Sequence, residues 1–184
     1  MLEDIDTGTF DAFAYWLYYQ TLVSSDECDE EYPQPCLDED KGCEHGRSSF
    51  GTRLTRWYVL ADRFIVPDFK ECLIDLALEE FQDQSPWYQA IIYAWTNLPE
   101  DSPFLRLLVD AHCHNWSIGS DERELQSNID ALPSCFLYRA MWRMKECHMK
   151  GIPSLRERSG YDEPSKEETE VESMSGSTEC LTQT

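Results

Sequence analysis

Three cysteines and one histidine in the first quarter of the chain carry the side chains that zinc prefers in proteins. Cys28, Cys36, Cys43 and His45 lie within one acidic stretch, and thiolate sulfur combined with imidazole nitrogen is a common zinc ligand set. The spacings are wide, however, and no Cys-x-x-Cys pair is present to form a zinc knuckle. The pattern favours reduced thiols, with a small zinc-binding protein as the alternative. We therefore predict no metal ligands and no cofactor.

Residues that could perform catalysis are not grouped in the sequence. The chain contains no glycine-rich phosphate loop, no nucleophile elbow and no His-Glu-x-x-His pair. Glu79 and Glu80 are adjacent on a predicted helix, so their carboxylates diverge. His112 and His114 are two residues apart on a helix and point to different faces. We therefore predict that the protein is not an enzyme and that it has no catalytic residues.

Aromatic side chains are concentrated in the first predicted helix, over residues 9–20. They surround the helix on nearly all sides, whereas a surface helix is normally apolar on one side only. The ordinary interpretation is burial in a core, and the alternative is a surface that binds another protein. The candidate interaction surface consists of Phe10, Phe13, Trp16, Tyr18 and Tyr19.

Charge is distributed unevenly along the 184 residues, whose formal net charge is −21. Residues 1–44 hold thirteen Asp or Glu against one Lys, and residues 160–184 hold seven against one. Binding to a phosphate backbone requires a basic face, so we predict no nucleic-acid binding. The acidic segments are typical of solvated, disordered chain, with binding of basic proteins as an alternative function.

The sequence predicts no membrane contact. Its first residues, Met1-Leu2-Glu3-Asp4, lack the basic and apolar regions of a secretion signal. No apolar run approaches the roughly 18 residues that a membrane-spanning helix requires. We therefore expect an intracellular protein, located in the cytoplasm, the nucleus or both.

Apolar residues recur at helical spacing through most of the chain, and strand signals are few. Pro67 ends one helix and fits the first turn of the next, where its missing N–H costs nothing. Gly151 is the predicted C-cap of the last helix. The predicted apolar face of that last helix comprises Phe136, Leu137, Ala140, Met141 and Met144. The predicted helices span residues 9–20, 51–64, 67–82, 86–97, 103–116, 122–128 and 133–150.

These patterns divide the chain into four segments. Residues 1–23 contain the first helix, and residues 24–49 form an acidic insertion rich in turn residues. Residues 50–150 contain the remaining helices, which pack around one core. Residues 151–184 are predicted to be a disordered acidic tail. The predicted fold class is mainly α, with little or no sheet.

Several separated motifs follow one another along the chain. The aromatic helix ends in the triplet Trp16-Leu17-Tyr18, and the segment from Tyr58 to Lys70 contains a helix pair with a proline corner. Further motif positions are Tyr93, Thr96, Pro99-Glu100, Ser102, Leu105-Arg106-Leu107-Leu108-Val109-Asp110, Leu132-Pro133, Phe136 and Leu137. In this order, the motifs resemble the C-terminal half of a BTB/POZ domain and its helical extension in fungal members.

The resemblance implies a truncated BTB/POZ-like helical core that acts as a protein–protein interaction module. Members of the family form homo-oligomers, and some are adaptors for cullin-type ubiquitin ligases. The family's N-terminal strands and helical hairpin have no counterpart in this sequence, so we expect part of the first helix to lack its usual cover. The expected partners are proteins, including a second copy of the chain or a cullin scaffold.

Overall fold

The protein is described by a computed structural model, in which residues 7–20, 22, 48–122 and 124–162 are described. Within these ranges the chain is mainly helical and contains no strand, which confirms the predicted fold class. No helix in the described ranges is long and apolar enough to cross a bilayer. The α-helices are α1 (Thr7–Tyr19), α2 (Ser48–Arg63), α3 (Pro67–Glu80), α4 (Tyr88–Asn97), α5 (Pro103–Asn115), α6 (Ile118–Glu122), α7 (Gln126–Asp130) and α8 (Ser134–Lys150).

The corner between α2 and α3 is closed by backbone hydrogen bonds. The N–H of Val66 donates to the carbonyl of Ala61 at 3.0 Å, and the N–H of Ile65 donates to that of Asp62 at 3.2 Å. This pair of bonds is the Schellman arrangement, which satisfies the last carbonyls of a helix. Pro67 then occupies the first turn of α3, as predicted.

The main core lies where α2 packs between α1, α3 and α4. Leu54 of α2 and Leu73 of α3 have no exposed surface. The ring of Tyr58 in α2 stacks on that of Phe104 in α5, with centroids 4.4 Å apart. Helix α1 is attached through Trp16, whose ring lies 4.7 Å from that of Phe69 in α3. Burial of these large rings is the main driving force for packing the four helices.

A second, smaller core joins α4, α5 and α8. Phe136 of α8 is fully buried, and its ring meets that of Trp95 in α4 edge to face at 5.3 Å. Ala140, one turn later on α8, packs against the same cluster. The buried side of α8 thus follows the helical repeat from Phe136 through Ala140 to Arg143.

The predicted apolar face of α8 was wrong in part. Phe136 and Ala140 are buried as expected, but Leu137, Met141 and Met144 are exposed. The physical reason is that Arg143 takes the third position on the buried side, because its charge is neutralised there by Asp110. Burial of an arginine therefore rotates the helix away from the orientation that hydrophobicity alone indicates.

The predicted disordered tail was also wrong for its first part. Residues 151–162, which we call the return segment, fold back over α3 and α5 and end in a 3₁₀ turn, Arg158–Tyr161. Tyr161 is 1% exposed, so the segment is part of the core. Gly151 makes the reversal possible, because it adopts the left-handed conformation predicted for a C-cap (φ 63°). Residues 163–184 lie outside the described ranges.

Two further predictions differ in detail. The single helix predicted over 122–128 is replaced by α6 and α7. Helix α4 begins at Tyr88 rather than at residue 86, so the Ser85 hydroxyl is not a cap and is buried without a hydrogen-bond partner. The predicted insertion at 24–49 lies almost wholly outside the described residues, which resume at Ser48.

Candidate functional site

The candidate interaction surface on α1 divides into buried and exposed residues. Phe13 and Trp16 are buried against α2 and α3, so both belong to the core. Phe10, Tyr18 and Tyr19 are exposed, and Tyr18 is the most exposed at 85%. The core interpretation therefore holds for Phe13 and Trp16, and the other three side chains lie at the surface. The structure does not bring all five predicted residues to one face.

The exposed side of α1 is continued by the corner between α2 and α3. Phe13 stacks on Phe64 of the corner with centroids 6.0 Å apart, and Phe10 meets the edge of Phe13 at 6.4 Å. Leu17 lies one turn beyond Phe13 on α1 and is half exposed. We call Phe10, Leu17, Phe64 and Ile65 the α1–corner surface.

Ile65 is the most unusual residue of this surface. Its φ of 55° is in the left-handed region, where a β-branched side chain is disfavoured and glycine is the usual residue. Its side chain is also 84% exposed, so burial does not compensate for the strained backbone. Strain of this kind is often retained where the residue has a function.

A buried cluster of charges lies on the other side of the molecule, around Asp110 of α5. The carboxylate is 1% exposed, and its Oδ1 lies 2.9 Å from Nε of Arg143 in α8. Its Oδ2 lies 2.9 Å from Nε of Arg156 and accepts a hydrogen bond from the Tyr161 hydroxyl at 2.9 Å. Arg143 also donates to the carbonyls of Pro153 and Ser154. One carboxylate thus joins α5, α8 and the return segment.

Burial sets the protonation behaviour of this cluster. Burial raises the pKa of the Asp110 carboxyl, while Arg156 and Arg143 act in the opposite direction. Burial and the nearby Asp110 charge together raise the pKa of Tyr161. The phenol therefore remains a hydrogen-bond donor to Asp110 at neutral pH.

The cluster forms the floor of a groove of about 800 Å³ between α5, α8 and the return segment. Tyr138 and Trp142 of α8 line it and are each about 60% exposed. At its edge, Arg139 is paired with Glu100 at 2.9 Å. The groove thus offers aromatic surface beside charged side chains.

The other residues proposed for chemistry are separated or outside the described ranges. Cys28, Cys36, Cys43 and His45 lie outside the described residues, so the zinc alternative stays a prediction. In the part of the chain that is described, no three metal-ligating side chains form a group. His112 is buried and His114 is exposed, so they point to different faces, as expected.

Comparison with protein-family models, with curated proteins and with solved structures gives no match to this chain. The resemblance to BTB/POZ domains therefore stays a prediction based on the motifs quoted above.

Sequence analysis missed both the Asp110 cluster and the exposed face of α8. A signal for the first was present, because Asp110 interrupts an apolar run from Leu107 to Ala111, and a single acid within such a run is a candidate for burial. A buried acid requires a buried cation, and the arginines downstream were candidates. Once Arg143 is assigned to the buried side of α8, the opposite side of the helix is predicted to be exposed.

We expect Tyr161→Phe to lower the free energy of unfolding by about 1–3 kcal/mol, because the backbone N–H of Arg156 and an oxygen of Asp110 each lose a partner. Denaturant unfolding followed by circular dichroism measures this difference. Tyr138→Phe, which removes an exposed hydroxyl from α8, is the matched control and should change stability by less than about 0.5 kcal/mol. Equal effects of the two variants would contradict the assigned role of Tyr161.

We expect stability to fall as the pH decreases from about 6.5 to about 4, in part because of His112. Burial lowers the pKa of His112 to about 4, so between these values the unfolded chain binds a proton that the folded chain excludes. The loss amounts to about 3 kcal/mol at the lower pH. The stability of His112→Leu should not show this loss. The unfolding free energies of the variant and the wild type, compared at each pH, measure the difference.

His114→Gln is the matched control for this titration, since it removes an exposed imidazole from the same helix and leaves His112 in place. It should retain the pH dependence of the wild type. A His112→Leu protein whose stability follows the wild-type pH profile would show that His112 is not the group responsible.

Proposed function

We propose that this protein is a protein–protein interaction module and not an enzyme. The observation that carries the proposal is the α1–corner surface, where Phe10, Leu17, Phe64 and Ile65 are exposed beside a well-packed core. Contiguous aromatic and aliphatic side chains on a surface are typical of protein-binding sites. The left-handed conformation of Ile65 adds to this, because glycine would serve the corner better if the corner were only structural.

The proposal includes a BTB/POZ-like relationship. It is supported by the order of the motifs and by the helix pair at the proline corner, which packs on the aromatic first helix. On this interpretation the protein forms homo-oligomers or links a partner to a cullin-type ubiquitin ligase, inside the cell. The α1–corner surface would then contact the second copy of the chain.

Substitution of Ile65 by glycine separates binding from folding. Glycine relieves the left-handed strain of the folded chain but makes the unfolded chain more flexible. We expect the relief of strain to offset the flexibility, so the free energy of unfolding should be unchanged or higher by up to about 1 kcal/mol. Self-association should weaken, because the largest exposed aliphatic group of the surface is lost. Sedimentation equilibrium of wild type and Ile65→Gly, over a series of concentrations, measures the association constants.

Tyr138→Phe is a control whose association should match the wild type, because Tyr138 lies on α8 and not on the α1–corner surface. A chain that is monomeric throughout the series would exclude the homo-oligomer. A pull-down with a cullin N-terminal domain then tests the adaptor role. A chain that is monomeric and also fails to bind the cullin domain would remove the proposed function. Equal association of wild type and Ile65→Gly would remove the α1–corner surface from the interface.

A further inference from the structure

The outward side of α8 is an apolar helix face that no other element in the described part of the chain covers. Its side chains are on the opposite side of the helix from Phe136, Ala140 and Arg143, and all are exposed. Trp142 and Met141 are each 60% exposed or more. The face runs from Leu137 to Met149, roughly 18 Å along the helix axis. It comprises Leu137, Tyr138, Met141, Trp142, Met144, Lys145, His148 and Met149.

The charges of this α8 face have one sign. Lys145 lies within it, with its ammonium 6.0 Å from the ring of Trp142. His148 and Tyr138 are its other titratable groups, and no Asp or Glu belongs to the face. Glu146, the acid nearest in sequence, lies off the face and is paired with Arg143 and Lys150. The face is therefore apolar with a local basic character, in a chain whose formal net charge is −21.

We propose that the α8 face binds an amphipathic helix of a separate protein, with Leu- or Phe-like side chains along one stripe and Asp or Glu beside it. The apolar stripe covers Met141 and its neighbours, and the flanking carboxylates pair with Lys145. A bulky side chain of the partner enters the groove between Trp142 and the return segment. Exposed Trp, Tyr and Met are the residue types that dominate such helix-binding surfaces.

A second copy of the chain fits the α8 face less well. Two such faces in contact would bury Lys145 of both copies, and neither face offers an acid to pair with it. Burying charges without a partner opposes association. An acid-flanked helix supplies the missing partners.

The test uses the full chain and two fluorescent helical peptides that share one apolar stripe. One peptide carries Glu beside the stripe, and the other carries Lys at the same positions. Fluorescence anisotropy should show that the Glu peptide binds about tenfold more tightly or better, with an affinity that falls as salt is added. Absence of binding by both peptides, or equal binding, would overturn the proposal.

Variants of the full chain locate the site. Lys145→Glu should abolish or reverse the preference between the peptides. Met141→Ala with Trp142→Ala should weaken binding of both by about tenfold or more. Tyr18→Ala, an exposed aromatic on α1, should bind like the wild type. Binding that is insensitive to the α8 variants, in proteins whose circular dichroism matches the wild type, would overturn the proposal.

Three further results would each assign the α8 face to another occupant and overturn the proposal. A dimer that dissociates on Met141→Ala would assign the face to a second copy. Binding to anionic phospholipid vesicles, in preference to the Glu peptide, would assign it to a lipid surface. Peptide binding that appears only when Glu167, Glu168, Glu170 and Glu172 are changed to Gln would assign it to the chain's own acidic tail. Because α8 and α1 are tested by separate variants, failure here leaves the α1–corner surface untouched.

Discussion

One buried carboxylate determines how the second half of this protein is assembled. Asp110 is removed from water, and the cost of its burial is offset by two guanidiniums and a phenol that come from different parts of the chain. Its partners fix the rotation of α8 about its own axis and bring the return segment back onto α5. The groove and the exposed α8 face both follow from that arrangement.

The consequence for function is that α8 has a charged residue on its otherwise apolar inner side and several large apolar residues on its outer side, where a surface helix is normally polar. Arg143 occupies an inner position that an aliphatic residue would normally take, and Met141 and Trp142 are left outside. A helix arranged in this way is stable only if its inner charge is neutralised. The outer side is then available for a partner without loss of the core.

The mainly α fold, the proline corner and the left-handed Gly151 could be predicted from the sequence, because each depends on local spacing or on backbone chemistry. The aromatic residues of α1 were recognised, but their division into core and surface depends on how α1 packs on α3. The orientation of α8 and the return segment could not be predicted from periodicity. Both depend on ion pairs between residues that are far apart in sequence, such as Asp110 and Arg156, and hydrophobic patterns do not encode such pairs.

Hydrogen exchange of Asp110→Asn tests most directly whether this carboxylate organises α8 and the return segment. Loss of the charge removes the buried counter-ion of Arg143 and leaves it only its pair with the more exposed Glu146, so the amides of α8 and of residues 151–162 should lose protection. Amides of α2 and α3, which pack through Leu54 and Leu73, should keep their protection up to the limit that global unfolding sets. If protection in α8 and the return segment matches the wild type, or if all helices lose it equally, Asp110 does not have this organising role.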